Sequence, residues 1–508
     1  MERAYYVTTP IYYISGQPHI GHAYTTIVAD VLARTARTFT PTFFLTGTDE
    51  HGQKVANAAA AAGKSPQEWT DELVPRWKEL FATYHVEYDD FIRTTQPRHI
   101  EKVRRVFDRL RERGDVYRGK YEGWYCVHDE TFWLESKLVD GRCPTCGRDV
   151  QWISEEDWFF RLSAYRDRLL EHFESHPHWV QPPKVYNEMM AILREGLDDL
   201  SISRTSFDWG VPIPGGGVIY VWLDALLNYI TAIGWSEDEA RFHRYWPANT
   251  QLVGKEIARF HTIIWPAILW ALDEAAPGLV FAHGWITVDG QKMSKSLDNA
   301  VDPFLLAQRF GADAMRYFLL REAPFGSDFS YSEAKIVQRR NSDLANDLGN
   351  LLQRTLAMLQ RYREGIVPER GPSNDFARRF GELGATVRER ILNLRFREAL
   401  DAVWELVTAL NRRIDERKPW ELHKRDQTEE LDAVLYDLCE GLRWIAILLH
   451  PFMPERMGEM WQQIGSPGRI DDDWSASLRT WGGLAPGIYV KPAAPLFPKL
   501  ELDLAPPP

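Results

Sequence analysis

Cysteine is scarce in this chain: four residues in 508, three of them at positions 126, 143 and 146. So few thiols exclude a disulfide framework, and three that cluster in sequence suit a metal knuckle in a reducing compartment. Long apolar runs are missing as well. None approaches the roughly 18 residues that cross a bilayer, and Met1-Glu2-Arg3-Ala4-Tyr5 enters a strand-like segment without the charged-then-apolar pattern of an export signal. A cytoplasmic protein with no membrane partner is expected. Positive charge is not in excess either. The net charge of -12 excludes broad non-specific nucleic-acid binding, though a local basic track can still meet phosphates. The chain has no internal repeat, no low-complexity tract and no Ser/His/Asp or Cys/His arrangement of a covalent catalyst. It does have 44% hydrophobic residues over a length that suits two to four domains.

Tyr5-Tyr6-Val7-Thr8-Thr9 is a β-rich run closed by Pro10, and Ala23 to Arg37 carries helical periodicity through Ile27, Val31 and Leu32. Phe43-Phe44-Leu45 reads as a second buried strand. Strand ends with polar groups recur at Gln251-Leu252-Val253-Gly254-Lys255 and at Leu279-Val280-Phe281-Ala282-His283-Gly284. Short apolar strands alternating with longer helices predict an α/β fold with a parallel sheet covered on both faces, its ligands at the carboxyl ends of the strands. The half-sheets are split, at about 1–114 and 204–300, around an aromatic-rich insertion of different character. Beyond about 330 the strand signals fade. Leu400, Val403, Trp404, Val407, Leu410 and Ile414 follow a helical stripe, as do Leu431, Val434, Leu435, Leu438, Leu442 and Ile445, so an all-helical bundle is expected. After Trp474 a Gly- and Pro-rich tail, including Pro495-Leu496-Phe497-Pro498, reads as extended.

Two short motifs bear on chemistry. In His19-Ile20-Gly21-His22 two imidazoles flank a glycine where a helix begins, and the unsatisfied N–H groups of that helix end favour a phosphate. A single histidine there would serve equally as a helix cap. In Lys292-Met293-Ser294-Lys295-Ser296 two ammonium groups share a short polar loop, which in isolation is also what a solvated turn looks like. Both motifs suit triphosphate chemistry, where charge on phosphoryl oxygens must meet positioned donors.

In this order the two motifs resemble the signatures of class I aminoacyl-tRNA synthetases. Thr9-Pro10-Ile11-Tyr12-Tyr13, Leu45-Thr46-Gly47-Thr48-Asp49-Glu50-His51-Gly52, Val221-Trp222-Leu223-Asp224-Ala225 and Val288-Asp289-Gly290-Gln291-Lys292 are similar to segments of the methionyl-tRNA synthetases within that class. The likeness runs over nearly the whole chain. It implies a Rossmann-like catalytic domain in two parts, 1–114 and 204–300, divided by a connective zinc-knuckle module at 115–203. It further implies a stem-contact region at 301–345, with the Lys-Met-Ser-Lys-Ser loop at its N-terminal edge, and a helical anticodon-binding domain with its tail at 346–508.

The resemblance assigns ATP, with Mg2+, to His19, Gly21, His22, His283, Gly284, Lys292, Ser294 and Lys295. His19, His22, Lys292 and Lys295 would stabilise the α-phosphate transition state and the departing pyrophosphate. Asp49 corresponds to the carboxylate that holds the substrate ammonium. Ile11, Tyr13, Trp222, Ala225, Leu226, Tyr229, Ile257 and His261 match the methionine pocket, a lining that suits a polarizable thioether; as bare sequence these residues also read as core. Arg204 resembles a position near the amino-acid site, or is an ion-pair residue.

In the insertion, Cys126, Asp129, Cys143 and Cys146 have zinc-knuckle spacing, with Asp129 where many family members have cysteine and His128 the alternative fourth ligand. The zinc would be structural. Asn346, Asn411 and Trp420 resemble the anticodon-reading positions, where an indole stacks on an unpaired base and an amide reads its edge; Trp420 could otherwise cover a core edge. From Arg388 to Arg425 ten basic and seven acidic residues give a modest local excess. The implied activity is that of a methionine–tRNA ligase, forming methionyl-adenylate and charging tRNA(Met), with a monomer expected. The rivals are a same-fold enzyme that joins a small substrate to AMP without tRNA, and an inactive tRNA-binding paralogue. The helical last third opposes the first, and intact His19, His22, Asp49, Lys292 and Lys295 oppose the second.

Overall fold

The computed structural model describes residues 3–127, 131–133, 135–288, 291–292, 301–371, 375–470 and 481–501. They fall into two compact units. The first comprises Met1–Pro18, Thr42–Leu80 and Glu87–Gly284, the second His19–Pro41, Phe81–Val86 and Trp285–Pro508.

In the first unit the strands are β1 (Tyr5–Thr8), β2 (Tyr12–Tyr13), β3 (Thr42–Asp49), β4 (Asp90–Arg93), β5 (Val116–Cys126), β6 (Thr131–Trp133) and β7 (Gln151–Phe160). They continue with β8 (Val180–Gln181), β9 (Leu200–Ser201), β10 (Ser203–Arg204), β11 (Val218–Ile219), β12 (Thr250–Gly254) and β13 (Val280–His283). The central sheet runs β2-β3-β1-β12-β13-β8, with β4 also on β3. All its pairings are parallel, β1 lying between β3 (Val7 opposite Phe44) and β12 (Val7 opposite Thr250). Tyr6, Val7, Phe44, Leu45, Leu252 and Val253 are wholly buried, as strands of a sheet covered on both faces must be. Gly47 is required by close approach. A Cβ there would lie 2.0 Å from the carbonyl oxygen of Ile92 on β4.

The chain between β4 and β10 builds an antiparallel sheet, β6-β5-β7-β9, in which β5 and β7 pair from Val116 opposite Phe160 to Tyr125 opposite Gln151. Within the same span β8 leaves that module and joins the central sheet, with Val180 opposite Val280 of β13. The inserted module is therefore laced to the central sheet by a two-residue strand.

In the second unit the helix Ile20–Arg37 follows His19, and β14 (Ile286–Val288), β15 (Gln291–Lys292) and β16 (Phe329–Ser330) form a small sheet in the order β15-β14-β16. The remainder is helical. The first expected stripe lies on the helix Phe396–Arg417 and the second on Thr428–Leu449, and every residue of both is buried. Gly441 lets those helices meet, since a Cβ there would stand 2.4 Å from the Leu410 side chain. Arg316 is wholly buried; its guanidinium meets Asp30 at 2.6 Å and the carbonyls of Tyr84, Pro451 and Phe452 at 2.7 to 2.9 Å. The tail is extended as expected, with Val367 N–H bonded to Ile488 O and Val490 N–H to Gly365 O, while Leu496 and Phe497 are buried. Among the described residues no helix is long and apolar enough to cross a membrane.

Candidate active site

The side chains expected around the amino acid converge within the first unit. Tyr13 on β2 lies opposite Asp49, the last residue of β3, so both sit at the carboxyl end of the sheet. The Lys54 ammonium stands 5.3 Å from the Tyr13 ring centroid. Trp222, Ala225 and Leu226 ride on the helix Val221–Leu226, and Tyr229 on Asn228–Thr231. Ile11, Tyr13, Trp222 and Ile257 are partly buried and pack on the core that contains Leu226 and Tyr229. Buried Asp49 is the carboxylate among them.

The polar contact in this lining has one consistent proton arrangement. His261 Nδ1 is 3.0 Å from the carbonyl of Ile257, which can only accept, so Nδ1 carries hydrogen. Burial pushes the His261 ring down to about 4, so it is neutral near pH 7 and its Nε2 is an acceptor. Tyr229 Oη, 2.8 Å away, therefore donates to it. Burial likewise raises the Tyr229 phenol, which keeps that proton. The two polar tips satisfy one another, leaving an aromatic, uncharged wall.

One lining residue went unread in the sequence. Phe260 stacks on Trp222 with centroids 3.7 Å apart and planes at 10°. Its position immediately before His261 was the available signal, but a phenylalanine in an apolar helix carries no mark of function.

His19 and His22 belong to the second unit, and they cap their helix reciprocally. Gly21 N–H donates to His19 Nδ1 at 3.1 Å, and His19 N–H donates to His22 Nδ1 at 3.0 Å. Both Nδ1 atoms accept, so both rings carry their hydrogen on Nε2. The rings lie 3.7 Å apart by centroid. Both the capping role and the phosphate role read from the sequence are thus compatible: one nitrogen of each ring caps, and the other is an N–H donor. The glycine is needed for the cap itself, because a Cβ on Gly21 would come within 2.9 Å of the His19 ring.

His283, at the end of β13 in the first unit, is buried and its Nδ1 lies 2.9 Å from Gly284 O; burial lowers its basicity. The backbone of Lys292 pairs with Thr287 of β14. Residues 293–296, with Ser294 and Lys295, lie outside the described residues. Arg204 is buried with its guanidinium 4.2 Å from the Tyr220 ring centroid and its Nη1 bonded to Ser201 Oγ at 2.9 Å.

In the insertion the sulfurs of Cys126, Cys143 and Cys146 lie within 4.8 Å of one another, those of Cys126 and Cys146 at 3.5 Å. Two thiolates on one tetrahedral ion with bonds of about 2.3 Å stand about 3.8 Å apart, so the trio fits a zinc-sized metal. Asp129 and His128 lie outside the described residues. In the helical region Asn346 sits in a π-helical turn, Arg340–Gly349, and is exposed. Asn411 donates to the carbonyls of Asp347 and Val407, both at 3.2 Å, which brings it beside that turn. Trp420 lies in the first turn of the helix Pro419–Lys424 and is 37% exposed.

The sequence matches the family described as tRNA synthetases class I (M) over residues 5–151 and 148–356, and that described as anticodon-binding domain of tRNA ligase over 374–484. It is 49% identical to a methionine–tRNA ligase of Caldanaerobacter subterraneus, covering 99% of this chain and 80% of that relative, and 47% identical to one of Thermotoga maritima, covering 98% and 80%. Among solved structures it is similar to Mycobacterium tuberculosis methionyl-tRNA synthetase in complex with methionyl-adenylate. That match has a TM-score of 0.93 at 41% identity and covers 98% of this chain and all of the other. The apo form of that protein matches with a TM-score of 0.86.

Proposed function

The chain belongs to the methionyl-tRNA synthetases of class I, and from that premise we propose which of its residues perform each part of the reaction. The activity is that of a methionine–tRNA ligase: L-methionine and ATP give methionyl-adenylate and pyrophosphate, and the methionyl group passes to the 3' end of tRNA(Met). ATP, methionine and tRNA are its substrates.

Asp49 takes the substrate ammonium. The thioether lies against Trp222, with Ile11, Tyr13, Ala225, Leu226, Tyr229, Ile257 and His261 around it. The mutually satisfied Tyr229–His261 pair carries this assignment, because its two polar tips meet each other and leave the aromatic faces to a soft side chain that needs few hydrogen bonds. His19 and His22 direct their Nε2–H groups at phosphoryl oxygens, where developing charge is met by donors already fixed by the helix cap. By the family resemblance Gly21, His283, Gly284 and Ser294 are further ATP contacts, and Lys292 and Lys295 neutralise the leaving pyrophosphate. Mg2+ accompanies ATP.

Cys126, Cys143 and Cys146 hold a structural zinc, with Asp129 as fourth ligand. Asn346, Asn411 and Trp420 read the anticodon. The protein acts in the cytoplasm as a monomer. Charging of purified tRNA(Met) with radiolabelled methionine and ATP tests the activity: label enters the acid-precipitable tRNA, and no label there in the presence of intact ATP would contradict it.

A further inference from the structure

Three consecutive side chains at the end of β3 go to three different places. Asp49 belongs to the amino-acid site. Glu50 is wholly buried, held by Arg93 at 2.6 and 2.9 Å and by the hydroxyls of Thr48 and Thr95, each at 2.6 Å. His51 turns to Asp224 of the helix Val221–Leu226, its Nδ1 2.6 Å from Oδ2. The other oxygen of that carboxylate meets His99 Nε2 at 2.9 Å, and His99 Nδ1 meets Thr231 Oγ1 at 2.8 Å. His99, Asp224 and Thr231 are at most 1% exposed, and His51 is 4% exposed. His51 is fixed again from its far side by Trp209, whose ring stands edge-on at 5.3 Å and whose indole N–H donates to Glu50 O at 2.6 Å.

Burial would raise the Asp224 carboxyl, but His51 and His99 together hold it down to about 2. It is a carboxylate that takes an N–H from each side. Four buried polar groups are a poor device for stability alone, since apolar residues of similar volume usually serve as well or better. They are a good device for fixing distance and orientation. The elements they join include those that carry the pocket, the end of β3 with Asp49, the helix with Trp222 and Ala225, and the short helix with Tyr229, the last two bridged by His99 from the helix Pro97–Glu112.

We propose that His51, Asp224 and His99 are positioning residues that set the spacing between Asp49 and the Trp222–Ala225 wall, and thereby select the length of the amino-acid side chain. The inference rests on the pocket assigned above. None of the three touches the substrate. Each acts through the element it holds.

The test is methionine-dependent pyrophosphate exchange with the full chain, comparing methionine with ethionine, which is one methylene longer. A displacement of about 1 Å at a bound substrate is worth up to roughly 10²-fold, so Asp224→Asn should raise KM for methionine about 10- to 100-fold while KM for ATP stays within about twofold. The preference for methionine over ethionine in kcat/KM should fall with it. His99→Gln and Thr231→Val, which retain more of the chain of contacts, should shift the same preference less, and they carry the test if Asp224→Asn does not fold. An unchanged methionine-to-ethionine ratio in a folded variant overturns the proposal. Trp222→Ala in the same assay separates the two readings: no rise in its KM for methionine overturns the pocket, whereas a rise there with unchanged selectivity in Asp224→Asn overturns only the spacing role.

Discussion

Tyr229 donates its hydroxyl proton to His261 Nε2 across 2.8 Å, while the opposite nitrogen of the same imidazole donates to the Ile257 carbonyl. The pair is buried, and its two polar tips have no need of the ligand. Tyr229→Phe removes the donor and strands a buried acceptor. Stability should fall by about 1–3 kcal/mol, read from urea unfolding, and KM for methionine should rise.

The same imidazole sets a pH dependence. His261 is held at about 4 against an ordinary 6.5, so between those values the unfolded chain binds a proton that the folded chain refuses. Stability is then full above about 6.5 and declines as pH falls toward 4, by roughly 3 kcal/mol for this group alone at 1.36 kcal/mol per pH unit. His261→Gln should flatten that part of the pH profile in urea melts. An unaltered slope would assign the decline to other groups.

The double role of His19 allows capping and catalysis to be separated. Asparagine is among the best helix caps but has no Nε2–H to offer a phosphate. His19→Asn should leave thermal stability within about 1 °C while slowing adenylate formation roughly 10²-fold, the usual loss for one preorganised donor. Near-normal adenylate formation in His19→Asn, with a slowed reaction and a lowered melting temperature in His19→Ala alone, would make the residue a cap only.

Much of this is legible in the sequence. β1 and β3, the helix after His19 and both helical stripes follow from period and composition, since apolar residues at 3.6-residue spacing have few other uses. The unread parts are those made by long-range contact. β8 has two residues, too few for any pattern, and its place beside β13 depends on the chain returning from the insertion. His99 sits on a strongly basic amphipathic helix and looks like any other polar residue there; only the fold brings it to Asp224, 125 positions away. Phe260 needed the stacking of Trp222 to be noticed.

The three gathered thiols predict a metal stoichiometry. Purified protein should contain about one zinc per chain, as a closed four-ligand site would require, and Cys143→Ser should lose most of it. Loss of the ion should expose the β5–β7 amides to hydrogen exchange first, because Cys126 ends β5. Metal-free protein with unchanged protection would leave the trio as packed thiols.

Trp420 should matter for tRNA while leaving adenylate formation intact. With 37% of its surface exposed, its replacement by alanine should cost about 1–3 kcal/mol of stability for the apolar area it covers, and the variant should remain folded. Base stacking on an aromatic ring is worth about 1–3 kcal/mol, so Trp420→Ala should raise KM for tRNA(Met) by about 5- to 100-fold without affecting pyrophosphate exchange.

Amino-acid-dependent exchange of pyrophosphate into ATP measures, without tRNA, which side chain the first unit selects. Run with each of the twenty amino acids, the assay should show exchange with methionine far above all others, and Asp49→Ala should abolish it. Exchange with leucine or cysteine in place of methionine would rule methionine out as the substrate, and exchange with none of the twenty would rule out the activity.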